Sequence, residues 1–188
     1  DGGRWALLQE YLPEAEAGVE RPRLLANDTG MSAVLEGLAQ IHSVWYRREK
    51  ELTAQPWLAA TPDLPRMQEM IPLWRELADF SAPWFEIWCG QGVREFQTDF
   101  ICNLGSWWPR LCGMPSTLIH NDFNPRNLIL RRSDAKPSLC AYDWELATLG
   151  IPQHDLAELL CFTWHSGMAE IDLGTIVDSY RISLSRAC

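Results

Sequence analysis

The pattern of apolar and polar positions changes character along the chain. Asp1-Gly2-Gly3 is a turn signal, and the mostly apolar Arg4-Trp5-Ala6-Leu7-Leu8-Gln9 after it predicts a short strand. Glu10-Tyr11-Leu12-Pro13 closes that strand, and the polar run from Glu14 to Asn27, with Pro22, predicts a loop. From Met31 to Tyr46 the apolar residues Val34, Leu35, Leu38, Ile41, Val44 and Trp45 recur at helical spacing, with Asp28 or Thr29 as the cap. Pro56, Pro62 and Pro65 punctuate a connector. Helical periodicity then covers Pro65–Phe80, with a kink expected at Pro72, then Pro83–Cys89 and Val93–Leu111.

Beyond Gly113-Met114-Pro115 the period shortens. Thr117 to His120, Asn127 to Leu130 and Leu139 to Asp143 read as strands, with Asp134 to Ser138 as the polar turn between the last two. Asp155 to Trp164 and Leu173 to Ala187 return to helical spacing. The expected class is therefore α+β: mostly α-helical, with a small strand cluster around residues 117 to 143.

Composition narrows the function classes. At 188 residues and 47% apolar content, the chain suits one domain or one large lobe of a two-lobed protein. A formal charge of −9 and a pI near 4.9 exclude nucleic acid, whose phosphates require clustered Lys and Arg. The same sign disfavours anionic membranes and is compatible with a cationic small molecule. No apolar run reaches the ~18 residues of a membrane span, and the first residues do not form a signal peptide. A cytoplasmic location is the expectation. The six cysteines are scattered, without metal-ligand spacing, and sit among apolar neighbours such as Leu139-Cys140-Ala141. They are expected to be buried free thiols.

The chemistry concentrates in His120-Asn121-Asp122-Phe123-Asn124-Pro125-Arg126-Asn127, a polar loop between two apolar strands. A plain turn often has this composition. The next strand, however, ends in Tyr142-Asp143-Trp144-Glu145, which places Asn127 and Asp143 as neighbours across a hairpin. Both offer hard oxygen donors of the kind Mg²⁺ takes alongside substrate phosphates.

His120-x-Asp122-x-x-x-x-Asn127, a strand hairpin and then Asp143 resemble the catalytic and metal-binding loops of the protein-kinase-like fold. The blocks Leu118-Ile119-His120-Asn121-Asp122, Asn127-Leu128-Ile129-Leu130, Tyr142-Asp143-Trp144-Glu145 and Gly150-x-Pro152-x-x-Asp155-Leu156-Ala157 resemble its aminoglycoside phosphotransferase and choline kinase branch. The Asp143-Trp144-Glu145 block, with no Ala-Pro-Glu segment after it, sets the chain apart from protein kinases. The resemblance implies a small-molecule kinase transferring the γ-phosphate of Mg·ATP to a hydroxyl group of a metabolite or antibiotic. It implies that Asp122 is the catalytic base and that His120 serves the same loop, chiefly as a brace. Asn127 and Asp143 would hold the metal and nucleotide, and Asp155 would accept backbone N–H bonds from the loop. His42, in Leu38-Ala39-Gln40-Ile41-His42, resembles the family's Leu-x-x-Leu-His helix and is expected to be a packing histidine.

The same resemblance divides the chain into the last small-lobe strand and hinge (1–13) and a helical C-terminal lobe (14–188) with its catalytic loop at 117–145. Backbone groups near Gln9, Glu10 and Tyr11 would meet the adenine edge. No Gly-rich loop followed by a strand lysine precedes the helical region, so an N-terminal ATP-binding lobe is expected outside the given sequence. The alternative is a non-catalytic kinase-like binding module without the nucleotide half. Trp57, Trp74, Trp84, Trp88, Trp107 and Trp108 mark the acceptor side. They are expected to be helix-packing core, with a cation site beside Glu86, Glu95 and Asp99 as the alternative.

Overall fold

The computed structural model describes residues 28–58, 62–89, 92–131, 137–164 and 172–188. The expected strand and hinge at 1–13, the loop at 14–27 and most of the turn at 134–138 lie outside the described residues.

The elements run α1 (Asp28–Ser43), α2 (Glu49–Thr53), α3 (Leu64–Glu69), α4 (Ile71–Cys89), α5 (Gly92–Cys102), α6 (Leu104–Cys112), β1 (Thr117–Ile119), β2 (Leu128–Arg131), β3 (Ser138–Ala141), β4 (Thr148–Gly150), α7 (Gln153–Trp164) and α8 (Leu173–Ala187). The fold is α+β, mostly helical, with two small antiparallel ladders: β1 on β4 and β2 on β3. Among the described residues no helix is long and apolar enough to cross a membrane.

Local chemistry explains where the helix boundaries depart from the periodicity. The expected kink at Pro72 is a break at Met70, because Pro72 has no N–H to give and suits a first turn. Pro83, expected to open a new helix, lies inside α4. A proline costs a helix one intrahelical bond, yet α4 runs through that point, with Ala78 and Ala82 buried on it and the helix packed against α5. The run 93–111 divides at Asn103. Its carboxamide donates to the Asp99 carbonyl (2.9 Å) and carboxylate (2.8 Å), which satisfies the end of α5. Helix α2 and strand β4, three to five residues each, are too short to show a period.

The core gathers Val34, Leu35 and Leu38 of α1, Phe123 of the loop, Leu128 and Leu130 of β2, Leu156 and Leu159 of α7, and Ile176, Tyr180 and Leu184 of α8. Helix α1 lies against α8 on one side and β3 on the other. The second contact depends on Gly37: a Cβ there would stand 2.3 Å from Leu139 Cβ. Glu49 of α2 accepts the Ser116 N–H (2.9 Å) just ahead of β1. That bond holds its carboxyl below the ordinary value.

Two expectations about packing fail. Cys102, Cys112, Cys161 and Cys188 are free but exposed, and Cys140 is half-buried. Ile101 beside Cys102 and Leu160 beside Cys161 turn inward while the cysteines face outward, because i and i+1 on a helix point to different faces. The tryptophans whose side chains are described are not a packed core either: Trp57 and Trp84 are exposed and Trp74, Trp107 and Trp108 half-buried, while the side chain of Trp88 lies outside the description.

Candidate active site

The loop 120–127 is held from below by one buried carboxylate. Asp155, in the first turn of α7, accepts the backbone N–H of His120 (2.7 Å) and of Asn121 (2.9 Å). It also takes Nε2 of His42 at 3.0 Å, and all three partners together offset the cost of enclosing a charge. A carboxylate only accepts, so Nε2 of His42 carries the proton. The Tyr180 hydroxyl of α8 meets Nδ1 of the same ring at 2.6 Å. Burial, with the Asp155 charge behind it, raises the Tyr180 hydroxyl above its ordinary value, so it stays protonated as a donor. One turn beyond Asp155, Glu158 accepts the Phe123 N–H (2.8 Å) and fixes the middle of the loop.

With the loop floor set, the backbone turns sharply at Asn121, which has φ 62°. Asparagine tolerates this left-handed region better than most residues, and its carboxamide donates to the Leu146 carbonyl (3.1 Å). Asp122 follows. Its Oδ1 accepts from Asn124 Nδ2 (2.6 Å) and its Oδ2 from Asn127 Nδ2 (2.8 Å), so the carboxylate is aimed by two carboxamides. Its side chain is 26% exposed, and the carboxylate therefore remains reachable. Asn124 and Asn127 are themselves buried. Arg126 donates through Nε to Asn124 Oδ1 (3.1 Å) and brings its outer nitrogen to 3.8 Å from Asp122 Oδ1.

The hairpin sets the second half of the site. Leu128 pairs with Ala141, and the Tyr142 N–H donates to the Asn127 carbonyl (3.1 Å), so Asp143 lies one residue past the partner of Asn127. Asp143 is exposed, with φ 66° and ψ 59°, a left-handed turn that swings the chain into the 3₁₀ turn Trp144–Leu146. His120 braces this corner. It is fully buried, its Nε2 donates to the Tyr142 carbonyl (2.8 Å), and its ring lies 4.6 Å from Trp144 and 5.9 Å from Phe123. The Tyr142 hydroxyl closes the circuit on the Arg126 carbonyl.

The structure thus gathers His120, Asp122, Asn127 and Asp143 on one loop and one hairpin, while Gln9, Glu10 and Tyr11 lie outside the described residues. The donor set suits a hard divalent cation. Both N–H groups of Asn127 are spent on Asp122, its Oδ1 has no partner among the described residues, and Asp143 offers an unpaired carboxylate. Among the described residues no three His, Cys, Asp or Glu side chains cluster as a separate metal site.

Sequence reasoning assigned no role to Asn124, Glu158 or Tyr180. Glu158 was legible in principle, since it lies three residues after Asp155 on one helix face. Tyr180 was not, because 138 residues separate it from His42.

Comparison with curated proteins and with solved structures gives no match. A family model does match, over residues 1–181, and its description is that of a phosphotransferase enzyme family. Motif blocks and this match agree: the chain belongs to the phosphotransferase enzyme family, in line with its resemblance to the aminoglycoside phosphotransferase and choline kinase branch.

Proposed function

We propose that this chain carries the catalytic loop of an ATP- and Mg²⁺-dependent small-molecule kinase, in a protein-kinase-like C-terminal lobe. The observation that carries the reading is the orientation of Asp122: two buried carboxamides grip its two oxygens and leave its outer side open. Such a carboxylate is positioned to accept the proton of an acceptor hydroxyl as that oxygen attacks the γ-phosphorus in line with the leaving ADP.

Asn127 and Asp143 would hold the metal through Oδ1 and the carboxylate. A bound Mg²⁺ supplies neutralisation of the charge that spreads over the transferring phosphoryl group. The protein's remaining work is positioning. His120 keeps the Tyr142–Asp143 corner in place through the Tyr142 carbonyl, and Asp155 keeps the loop backbone in place through His120 and Asn121. His120 is a positioning residue in this scheme, since it is fully buried and its Nε2 is committed. The nucleotide contacts near Gln9 to Tyr11 are proposed on the strength of the family resemblance, and a cytoplasmic location on the scattered cysteines and the lack of a signal-peptide pattern in the first residues.

The test is titration calorimetry with ATP, with and without Mg²⁺, on protein expressed from its own gene. Metal-dependent binding that Asp143→Asn abolishes is the expected result. Asparagine suits the left-handed backbone there, so the change removes charge without strain. Equal nucleotide affinity with and without metal would overturn the assignment of Asp143.

A further inference from the structure

A cavity of about 230 Å³ lies beside the catalytic loop. Trp108 and Leu111 of α6, Ile119 of β1, and Leu149 and Ile151 around β4 supply its apolar wall, and Asn121 joins it to the loop one residue before Asp122. Among the described residues that line it there is no carboxylate, lysine or arginine. Cys112 and His154 are the ionisable residues in the wall, and His154 is drawn to Glu158 at 3.4 Å. The indole Nε1–H of Trp108 is buried and finds no acceptor among the described residues.

These walls select by chemistry. An ammonium group entering a mostly hydrocarbon cavity loses its water and meets no counter-charge among the described residues that line it, which is unfavourable. An aromatic or alicyclic ring gains from leaving water, and small pockets of this kind are typically apolar with a few placed polar groups. A ligand oxygen that reaches the Trp108 edge would satisfy the orphaned donor.

We propose that this cavity receives the apolar ring of an uncharged, hydroxylated acceptor, so that the acceptor class is a neutral aromatic or alicyclic alcohol rather than a polyamine. The inference rests on the catalytic reading above. In the step it implies, the bond between the γ-phosphorus and the β,γ-bridging oxygen breaks, and a bond to the acceptor oxygen forms. The hydroxyl proton passes to Asp122 and ADP departs.

The probe is 2-naphthol, a neutral fluorescent alcohol, set against neamine, an amino sugar carrying several ammonium groups. Saturable 2-naphthol binding is expected, unaffected by neamine, and weakened at least ~10-fold by Ile151→Trp, which fills the cavity. Leu111→Trp fills the same space from α6 and serves where Ile151→Trp fails to give a cooperative melt. Asp122→Asn is expected to keep 2-naphthol binding and lose phosphoryl transfer to it. Equal 2-naphthol affinity in wild type and both filled variants overturns the assignment of the cavity. So does phosphorylation of neamine at the same rate in wild type and Ile151→Trp, a result that would leave the catalytic reading intact. Binding of 2-naphthol sensitive to both fillings, with no transfer to any alcohol, would support the cavity's ligand class and remove the catalytic reading instead.

Discussion

Two regions of this molecule treat side chains in opposite ways. Around the loop 120–127, between α1, α7 and α8, polar groups are buried: His42, His120 and Asp155 are 0% exposed, and each has a partner. On the α4–α5 helix pair, apolar groups face outward: Phe80 is 77% exposed, Ile87 82% and Phe96 69%. Helical periodicity marks an apolar face in both regions. What separates them is which residues break the ordinary sorting of apolar inside and polar outside, and a buried, hydrogen-bonded polar network marks the half where geometry is specified.

The sharpest way to break that contrast is to remove the group the network aims. Asp122→Asn is expected to lower phosphoryl transfer by ~10²–10⁴-fold. The fold should persist with a cooperative melt at a cost of ~1–3 kcal/mol, because the new amide can accept from only one of the two carboxamides that grip Asp122 and faces the other with a donor. Retention of more than a tenth of the turnover would take Asp122 out of the chemistry. Next in size is Asp155→Ala, which leaves two loop N–H groups and a histidine without their acceptor. A loss of ~3–5 kcal/mol in denaturant unfolding is expected, as for one partner removed from a buried polar network. A cost under ~1 kcal/mol would mean that water or another group takes over its bonds.

How much of this was legible in the sequence follows the same division. The β2–β3 hairpin was, since Leu128-Ile129-Leu130 and Leu139-Cys140-Ala141 are apolar runs flanking a polar turn, and their pairing alone brings Asn127 close to Asp143. The hold of Asp155 on the loop backbone came through the motif resemblance and appears in the structure as two short bonds. The exposure of Trp57 and Trp84 was not legible. Periodicity tells which face of a helix is apolar, not whether anything in the fold covers it. Strand β4 was missed because three residues cannot display an alternation, and Tyr180 because its partner is remote in sequence.

Gly37→Ala tests how tightly the ordered half is packed. On helix propensity alone alanine should stabilise α1 by ~1 kcal/mol. The added methyl would stand 2.3 Å from Leu139 Cβ, so overpacking should reverse the sign and cost ~1–3 kcal/mol in chemical denaturation. Stabilisation instead would show that β3 gives way freely. Tyr180→Phe is expected to cost ~1 kcal/mol at neutral pH, the worth of one hydrogen bond to His42. It also carries a pH signature. The Tyr180 hydroxyl is raised from its ordinary 10.0 by burial and by Asp155. Its contribution to stability is fully present below that value, where both states hold the proton. It is lost as pH rises through the folded-state value. The wild type should therefore lose stability more steeply than Tyr180→Phe above about pH 10, and parallel curves would refute the burial of that hydroxyl.

The smallest expected effect probes the other half. Phe80→Ser and Ile87→Ser replace side chains that are 77% and 82% exposed on α4. Each should change unfolding free energy by no more than ~0.5 kcal/mol, because surface positions without partners contribute little. Serine is also a poorer helix former than most polar residues, which works in the destabilising direction by a few tenths of a kcal/mol. A cost of 2 kcal/mol or more at both sites would exceed that propensity term. It would mean that the α4 face is covered in the folded protein, and that the contrast between an ordered half and an open helix pair is false. A null result would confine the energetically specified packing to the catalytic half, where a one-methyl change at Gly37 is felt and the loss of a whole aromatic ring at Phe80 is not.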